Sequence, residues 1–196
     1  MPRPFGFLLL VVLAACAPGA TAGGPPAAAP TPAPLRLAEV PDQVGAFQRT
    51  ESHTYPEAAA GTLYRFRGGG SLEPDVYVFP VSPDIRSRGS GPGAWAAAEG
   101  SAFPSVLAIQ QQQGRFESMQ VMADSAVRLT VRSVPVEGWH TAARLMVRGV
   151  PRDTHQLLFG VGDHFVKVRA TFAPEAVTQA ELNDFSRALL ERLSAR

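Results

Sequence analysis

Residues able to act as acids, bases, nucleophiles or metal ligands are thinly spread along this 196-residue chain. Its histidines are His53, His140, His155 and His164, and no two stand three or four positions apart, the spacing that puts two ligands on one helix face. His155 opens a predicted strand and His164 follows a predicted turn at Gly162-Asp163, so these two are placed to approach one another across a hairpin. A third ligand is not in view, and neither a metal nor a cofactor is expected. Gly160-Val161-Gly162 has the opening of a dinucleotide fingerprint, but it precedes a strand where that motif needs a helix, and its third glycine is missing. Gly89-Ser90-Gly91 lacks the GxSxG pattern of a nucleophile elbow. Lys167, the only lysine, has no serine three positions before it. Carboxylates are scattered, and no local pair is set for acid and base work. The expectation is a non-catalytic domain, with a small-molecule binder as the alternative and, behind it, a hydrolase whose active site is assembled from distant positions.

One charge pattern stands out. In the strand-like segments 63–67, 127–132, 144–148 and 166–169 the charged residues are Arg65, Arg67, Arg128, Arg132, Arg144, Arg148, Lys167 and Arg169, all basic. Each pair is separated by an even number of positions, so within a regular strand both members point to the same side. If the strands are neighbours, one sheet face carries a concentrated positive field, suited to lipid headgroups, lipopolysaccharide, a cell-wall polymer or an acidic partner protein. The competing reading is a solvated face neutralised by Asp and Glu from helices and loops. The whole chain has 18 basic and 17 acidic residues, a formal charge of +1, which gives no reason to expect nucleic acid.

The elements that must position these residues follow from periodicity and turn chemistry. Gly45 to Thr54, Leu63 to Arg67 and Asp75 to Val81 read as strands, with Gly68-Gly69-Gly70 turning the second into the third. A helical region runs from Gly93 to about Gln113 and is divided by Pro104, whose ring and missing N–H interrupt a helix, while Gly114 ends it. Phe116 to Val131 holds one long strand or two, and Ala142 to Arg148, His155 to Val161 and Phe165 to Phe172 follow. Gly162-Asp163 makes the last two an antiparallel hairpin. Thr178 and Glu181 form a capping-box pattern ahead of a helix whose Leu182, Phe185, Leu189 and Leu193 share one face. The fold class is α+β: a mainly antiparallel sheet of about seven strands packed with two helical regions, occupying residues 39–196 as one domain. This element order resembles the antiparallel α/β sandwich of the PsbP and Mog1 type, a likeness that by itself gives no function.

The N-terminus is of another kind. Arg3 supplies a positive charge, and Phe5 to Ala15 is an apolar run too short to span a bilayer, which needs about 20 such residues. Leu13-Ala14-Ala15-Cys16 at its end resembles the lipobox of bacterial lipoproteins. The resemblance implies that residues 1–15 are a signal peptide and that Cys16 becomes a lipidated N-terminus. Two or three acyl chains, at about 0.8 kcal/mol per buried methylene, then hold the protein to a membrane outside the cytoplasm. Ala17, where an aspartate is absent, implies an outer membrane facing the periplasm in a Gram-negative organism. Cys16 is the only cysteine, so no disulfide and no thiolate metal site remains. Residues 16–38 begin with an uncharged Ala/Pro/Gly run that cannot bury enough surface to order itself. It reads as a tether reaching roughly 50 to 55 Å in polyproline form. The expected partners are the membrane, through Cys16, and an envelope protein or anionic polymer; the oligomeric state is left open.

Overall fold

The structure, a computed structural model, describes residues 39–194. The signal-like segment, Cys16 and residues 17–38 lie outside the described residues. Eight strands form one sheet: β1 (Gln43–Val44), β2 (Phe47–Thr54), β3 (Thr62–Arg67), β4 (Asp75–Pro80), β5 (Ser118–Val131), β6 (Val134–Val147), β7 (Val150–Val161) and β8 (His164–Phe172). Their order across the sheet is β1-β2-β3-β4-β8-β7-β6-β5, and every neighbouring pair is antiparallel. The chain leaves the sheet centre after β4, passes through α1 (Pro83–Ser87), α2 (Pro92–Gly100) and α3 (Phe103–Gln112), re-enters at the far edge as β5, and winds back to place β8 beside β4. Helix α4 (Gln179–Leu193) follows β8.

Local chemistry accounts for the joints. The β5–β6 and β6–β7 connections are two-residue turns with both residues at positive φ, Arg132 and Ser133 at 48° and 67°, Arg148 and Gly149 at 51° and 72°. That geometry matches the twist of the flanking strands. Each of the three central helices carries a proline in its first turn, where the missing N–H has no helical partner to lose. Pro104 thus starts α3, and the predicted division of the helical region falls at Ser101-Ala102. Thr178 and Glu181 form the capping box of α4 as read from the sequence.

The α+β class and the mainly antiparallel sheet are as expected, with eight strands where about seven were read. β6 and β7 begin well before the predicted Ala142 and His155. Pro135 and Pro151 hid them, yet neither proline costs a ladder bond. β7 pairs with β6 only from Gly138 onward, and β8 with β7 only from Asp153 onward, so the outer side of each proline faces no strand.

The sheet is covered unequally. On its first face α4 buries Leu182, Phe185, Leu189, Leu190 and Leu193 against Phe66, Val76, Leu157, Phe159, Val166 and Val168. Each such side chain contributes roughly 1.5–3 kcal/mol of burial. On the second face, Ala96 of α2 packs with Leu158 and Phe165, and Phe103 and Leu107 of α3 pack with Ala143 and Leu145. This cover extends from β5 across β8 to Phe79 of β4, which packs with Trp95, Ala96 and Ala98. Among the described residues no α-helix lies over the second face of β2 and β3, and Glu51, His53, Arg65 and Arg67 are exposed there. Among the described residues no helix is long and apolar enough to cross a membrane.

Candidate functional site

Where the helical cover stops, the register lines up polar side chains in rows. One row crosses the second face as Glu51, Arg65, Asp75, Arg169, Gln156, Thr141 and Asp124, from β2 to β5. The next runs His53, Leu63, Tyr77, Lys167, Leu158 and Trp139. Strict alternation in β4 puts Asp75, Tyr77 and Phe79 on this face, and alternation in β8 puts Lys167 and Arg169 beside them.

These residues floor a trough made of three adjoining hollows that share lining residues. Its central part, about 270 Å³, lies between Tyr77, Phe79, Lys167 and Arg169 on the sheet and Glu99 and Phe103 on the helices. It continues past Lys167 into about 290 Å³ bounded by Tyr55, Ala59 and Ala60, and past Arg169 into about 340 Å³ bounded by Arg65, Arg67, Glu73 and Asp75. Ala58–Ala60 is a single 3-10 turn held against β4 by Gly61. Gly61 has φ of 68°, and a Cβ there would run into the Val78 carbonyl.

Lys167 Nζ sits 4.5 Å from the centre of the Tyr77 ring and 5.2 Å from that of Phe79, within cation–π range. The Arg169 guanidinium lies 5.9 Å from the Phe103 ring. Burial pushes the Lys167 ammonium below the ordinary lysine range, Arg169 adds to that, and Glu99 opposes it. Burial likewise raises the Tyr77 phenol, with Asp75 contributing, and raises Asp75 despite Arg65, Arg169 and Arg67 around it. Among the described residues neither Lys167 nor Arg169 has a carboxylate at ion-pair distance, in contrast to Arg65, Arg67, Arg128 and Arg144.

The eight basic residues do not share one face, and this corrects the sequence reading. Arg65, Arg67, Lys167 and Arg169 lie together on β3 and β8. Arg65 is bridged to Glu51 at 2.8 Å and Asp75 at 3.6 Å, and Arg67 to Glu73. Arg128 is on the same face at the far edge, bound to Glu137 at 2.6 Å. Arg144 is on the opposite face, its guanidinium donating to both carboxylate oxygens of Asp153 at 2.7 and 2.9 Å. Arg132 and Arg148 stand in hairpin turns, Arg132 donating to the Glu191 carbonyl at 2.7 Å. Even spacing fixes a shared side only inside one strand, and 128–132 and 144–148 both run out of theirs.

The histidines are also rearranged. His164 meets Asp163 at the surface, at 2.6 Å, and His155 approaches His140 instead, ring nitrogens 3.2 Å apart. This pair lies on the first face, near the start of α4, where Gln179 Oε1 is 3.1 Å from His155 Nδ1. Burial lowers both histidines, His140 to about 4 with His155 adding to its shift. His53 stacks edge-on to Tyr55 at 4.8 Å. Among the described residues no group of three or more His, Cys, Asp or Glu side chains is placed to hold a metal ion. The sequence reading missed Phe79 and Glu99 as trough residues. Alternation in 75–80 was the signal for Phe79, whereas Glu99 reaches the trough only through the packing of α2.

The chain matches no family model and no curated protein. It is similar in fold to the solution structure of cyanobacterial PsbP (CyanoP) from Synechocystis sp. PCC 6803. Sequence identity is 11%, the TM-score 0.39, and the match covers 89% of this chain and 94% of that one. It is also similar to PA94, a Pseudomonas aeruginosa protein of unknown function, at 11% identity and a TM-score of 0.30, over 74% of this chain and 82% of that one. The likeness to PsbP is a loose one of fold.

Proposed function

We propose that the chain is an extracytoplasmic lipoprotein, anchored through Cys16 and spaced from its membrane by residues 17–38, whose domain is a non-catalytic binding module. Its trough on the second face receives an anionic group presented by an envelope component. The observation that carries this reading is the pair Lys167 and Arg169, side by side on β8, partly desolvated, walled by aromatic rings and without a carboxylate at ion-pair distance among the described residues. Arg65 and Arg67 enlarge the positive field at one end, although Glu51, Asp75 and Glu73 take up most of their charge. The trough is open along its length, which suits a group displayed on a larger partner.

Binding of the full chain to phosphatidylcholine vesicles with and without phosphatidylglycerol tests the site. Lys167→Met and Arg169→Gln should each weaken the anionic-vesicle component, and rising salt should weaken it as screening shortens its range. Binding indifferent to both substitutions and to salt refutes it. Metabolic labelling with a fatty-acid analogue tests the anchor separately: wild type should be labelled and Cys16→Ala should not. A second reading, a small-molecule binder, is favoured by the largely apolar cleft of about 400 Å³ between Val44, Phe47 and Leu72 and the Phe185 and Ala188 side of α4. An apolar dye displaced from that cleft by Ala188→Phe would support it.

A further inference from the structure

The two edges of the sheet are defended very differently. A sheet edge presents unpaired backbone groups, and monomeric proteins blunt it by shortness, lysine, proline or bulges. On one side the two-residue β1 covers only Phe47 and Gln48, and the edge that β2 continues to Thr54 is broken early by the bulge between Arg49 and Glu51. The β5 edge has fourteen residues, with no lysine and no proline, and its one irregularity is the bulge between Val121 and Ala123. From Ala123 to Val131 it runs in unbroken register with β6.

The two-residue turn at Arg132-Ser133 fixes which backbone groups face outward. Residues flanking such a turn form a hydrogen-bonded pair, so Val131, Leu129, Val127 and Ser125 direct their N–H and C=O groups to β6. Asp124, Ala126, Arg128 and Thr130 direct theirs away from the sheet. Antiparallel pairing with a second copy, centred on Ala126, brings outward groups to outward groups. It sets Asp124 opposite the partner's Arg128, and by symmetry does so twice. Centring on Asp124 or on Arg128 instead would oppose like charges, which is destabilising. The side chain of Arg128 is 68% exposed, so it can reach across while keeping Glu137. Apolar exposure points to the same place. Of the exposed large hydrophobics among the described residues, Val121 and Met122 are on β5 and Ile109 is on α3, which packs at the start of β5, whereas Val106 of α3 lines the trough and Val150 starts β7.

We infer that the chain forms a two-fold dimer by antiparallel pairing of β5 with the β5 of a second copy, joining two sheets into one. The partner is fixed by self-complementarity of backbone direction and charge, and the interface is separate from the trough.

The full chain, extracted in mild detergent, should sediment as a dimer in equilibrium with monomer. Ala126→Cys in a Cys16→Ser background should form a disulfide-linked dimer under mild oxidation, because facing residues of a hydrogen-bonded pair have Cα atoms about 5.5 Å apart, within disulfide range. Gln43→Cys at the opposite edge should not. Ala126→Pro removes an outward N–H and leaves the β5–β6 ladder intact, so it should weaken the dimer about tenfold or more with little change in thermal unfolding. Arg128→Glu, which sets Glu opposite Asp124, should weaken it as well and serves if the proline variant does not fold. Three results would overturn the inference: a chain that stays monomeric, crosslinking of Ala126→Cys no greater than that of Gln43→Cys, or a dimer indifferent to both disrupting variants.

Discussion

Acidification should loosen this domain between about pH 6.5 and 4, before its buried carboxylate is reached, because the His140 and His155 rings must stay neutral where they lie. His140 falls from 6.5 to about 4 in the fold, through burial first and the neighbouring His155 second, with Asp124 opposing. The unfolded chain takes up a proton on this ring near pH 6.5, and the folded chain does so only near pH 4. Across that window the unfolded state binds more protons, so stability is full above it and declines as pH falls through it. The difference of about 2.5 units sets a ceiling near 3.4 kcal/mol at about 1.36 kcal/mol per unit. The ring is only part-buried, and solvent screening reduces this to about 1–2 kcal/mol. For a domain of this size that is a fall in Tm of about 2–8 °C. His155, also lowered by burial, adds in the same direction. Thermal unfolding from pH 7.5 to 4.5 should therefore show a steeper decline for wild type than for His140→Gln, which keeps a hydrogen-bonding group beside His155 and cannot titrate. Groups common to both proteins cancel in that comparison. Parallel curves would refute the reasoning.

Three other outcomes follow from the same geometry. Gly61→Ala should cost at least about 1–2 kcal/mol, from a positive φ that side chains resist and from collision with the Val78 carbonyl, and should weaken anionic-vesicle binding by displacing Ala58–Ala60; chemical denaturation and vesicle sedimentation read the two effects. Arg144→Ala removes the guanidinium whose hydrogen bonds hold the Asp153 carboxyl below its ordinary value, so the Asp153 midpoint, followed by NMR, should rise. Anionic-vesicle binding should weaken as pH rises through the lowered Lys167 value, below the ordinary lysine range, and Lys167→Met should abolish that dependence.

Much of the fold was legible because its signals are local. The capping box at Thr178 and Glu181, the Gly162-Asp163 turn and the apolar stripe of α4 each need only a few neighbouring residues. What was not legible depends on register across strands distant in sequence. His140 meets His155 because β6 and β7 pair with Ala142 opposite His155, and the hidden starts of those strands put that pairing out of reach of a linear reading. The basic residues failed for a related reason. Period-2 alternation places Lys167 with Arg169, and Arg65 with Arg67, but it does not say that β6 has the opposite phase and turns Arg144 toward Asp153. Nor does it show that residues 132 and 148 belong to turns.

The position of Lys167 and Arg169 follows from how the two faces are closed. α4 carries an apolar stripe that covers most of the first face and leaves the cleft beside Val44, Phe47 and Leu72. The second face is closed by three short helices. α2 is rich in alanine and ends in Gly100, where a Cβ would strike the Trp139 ring, so it lies close on the strands and covers little breadth. Cover therefore thins out over β8 and β4, reaching Phe79 but not Asp75, with Phe103 on one side of Arg169 and Asp75 on the other. A cation deep under the helices would lose its water with nothing to replace it, and one on bare β2 would be screened by bulk solvent. At this boundary the medium is less polar than water and still reachable, so an approaching anion gains more per contact than at the arginines already bridged to Glu51, Asp75 and Glu73. For that reason two cations on β8, and not the larger number counted along the sequence, form the site.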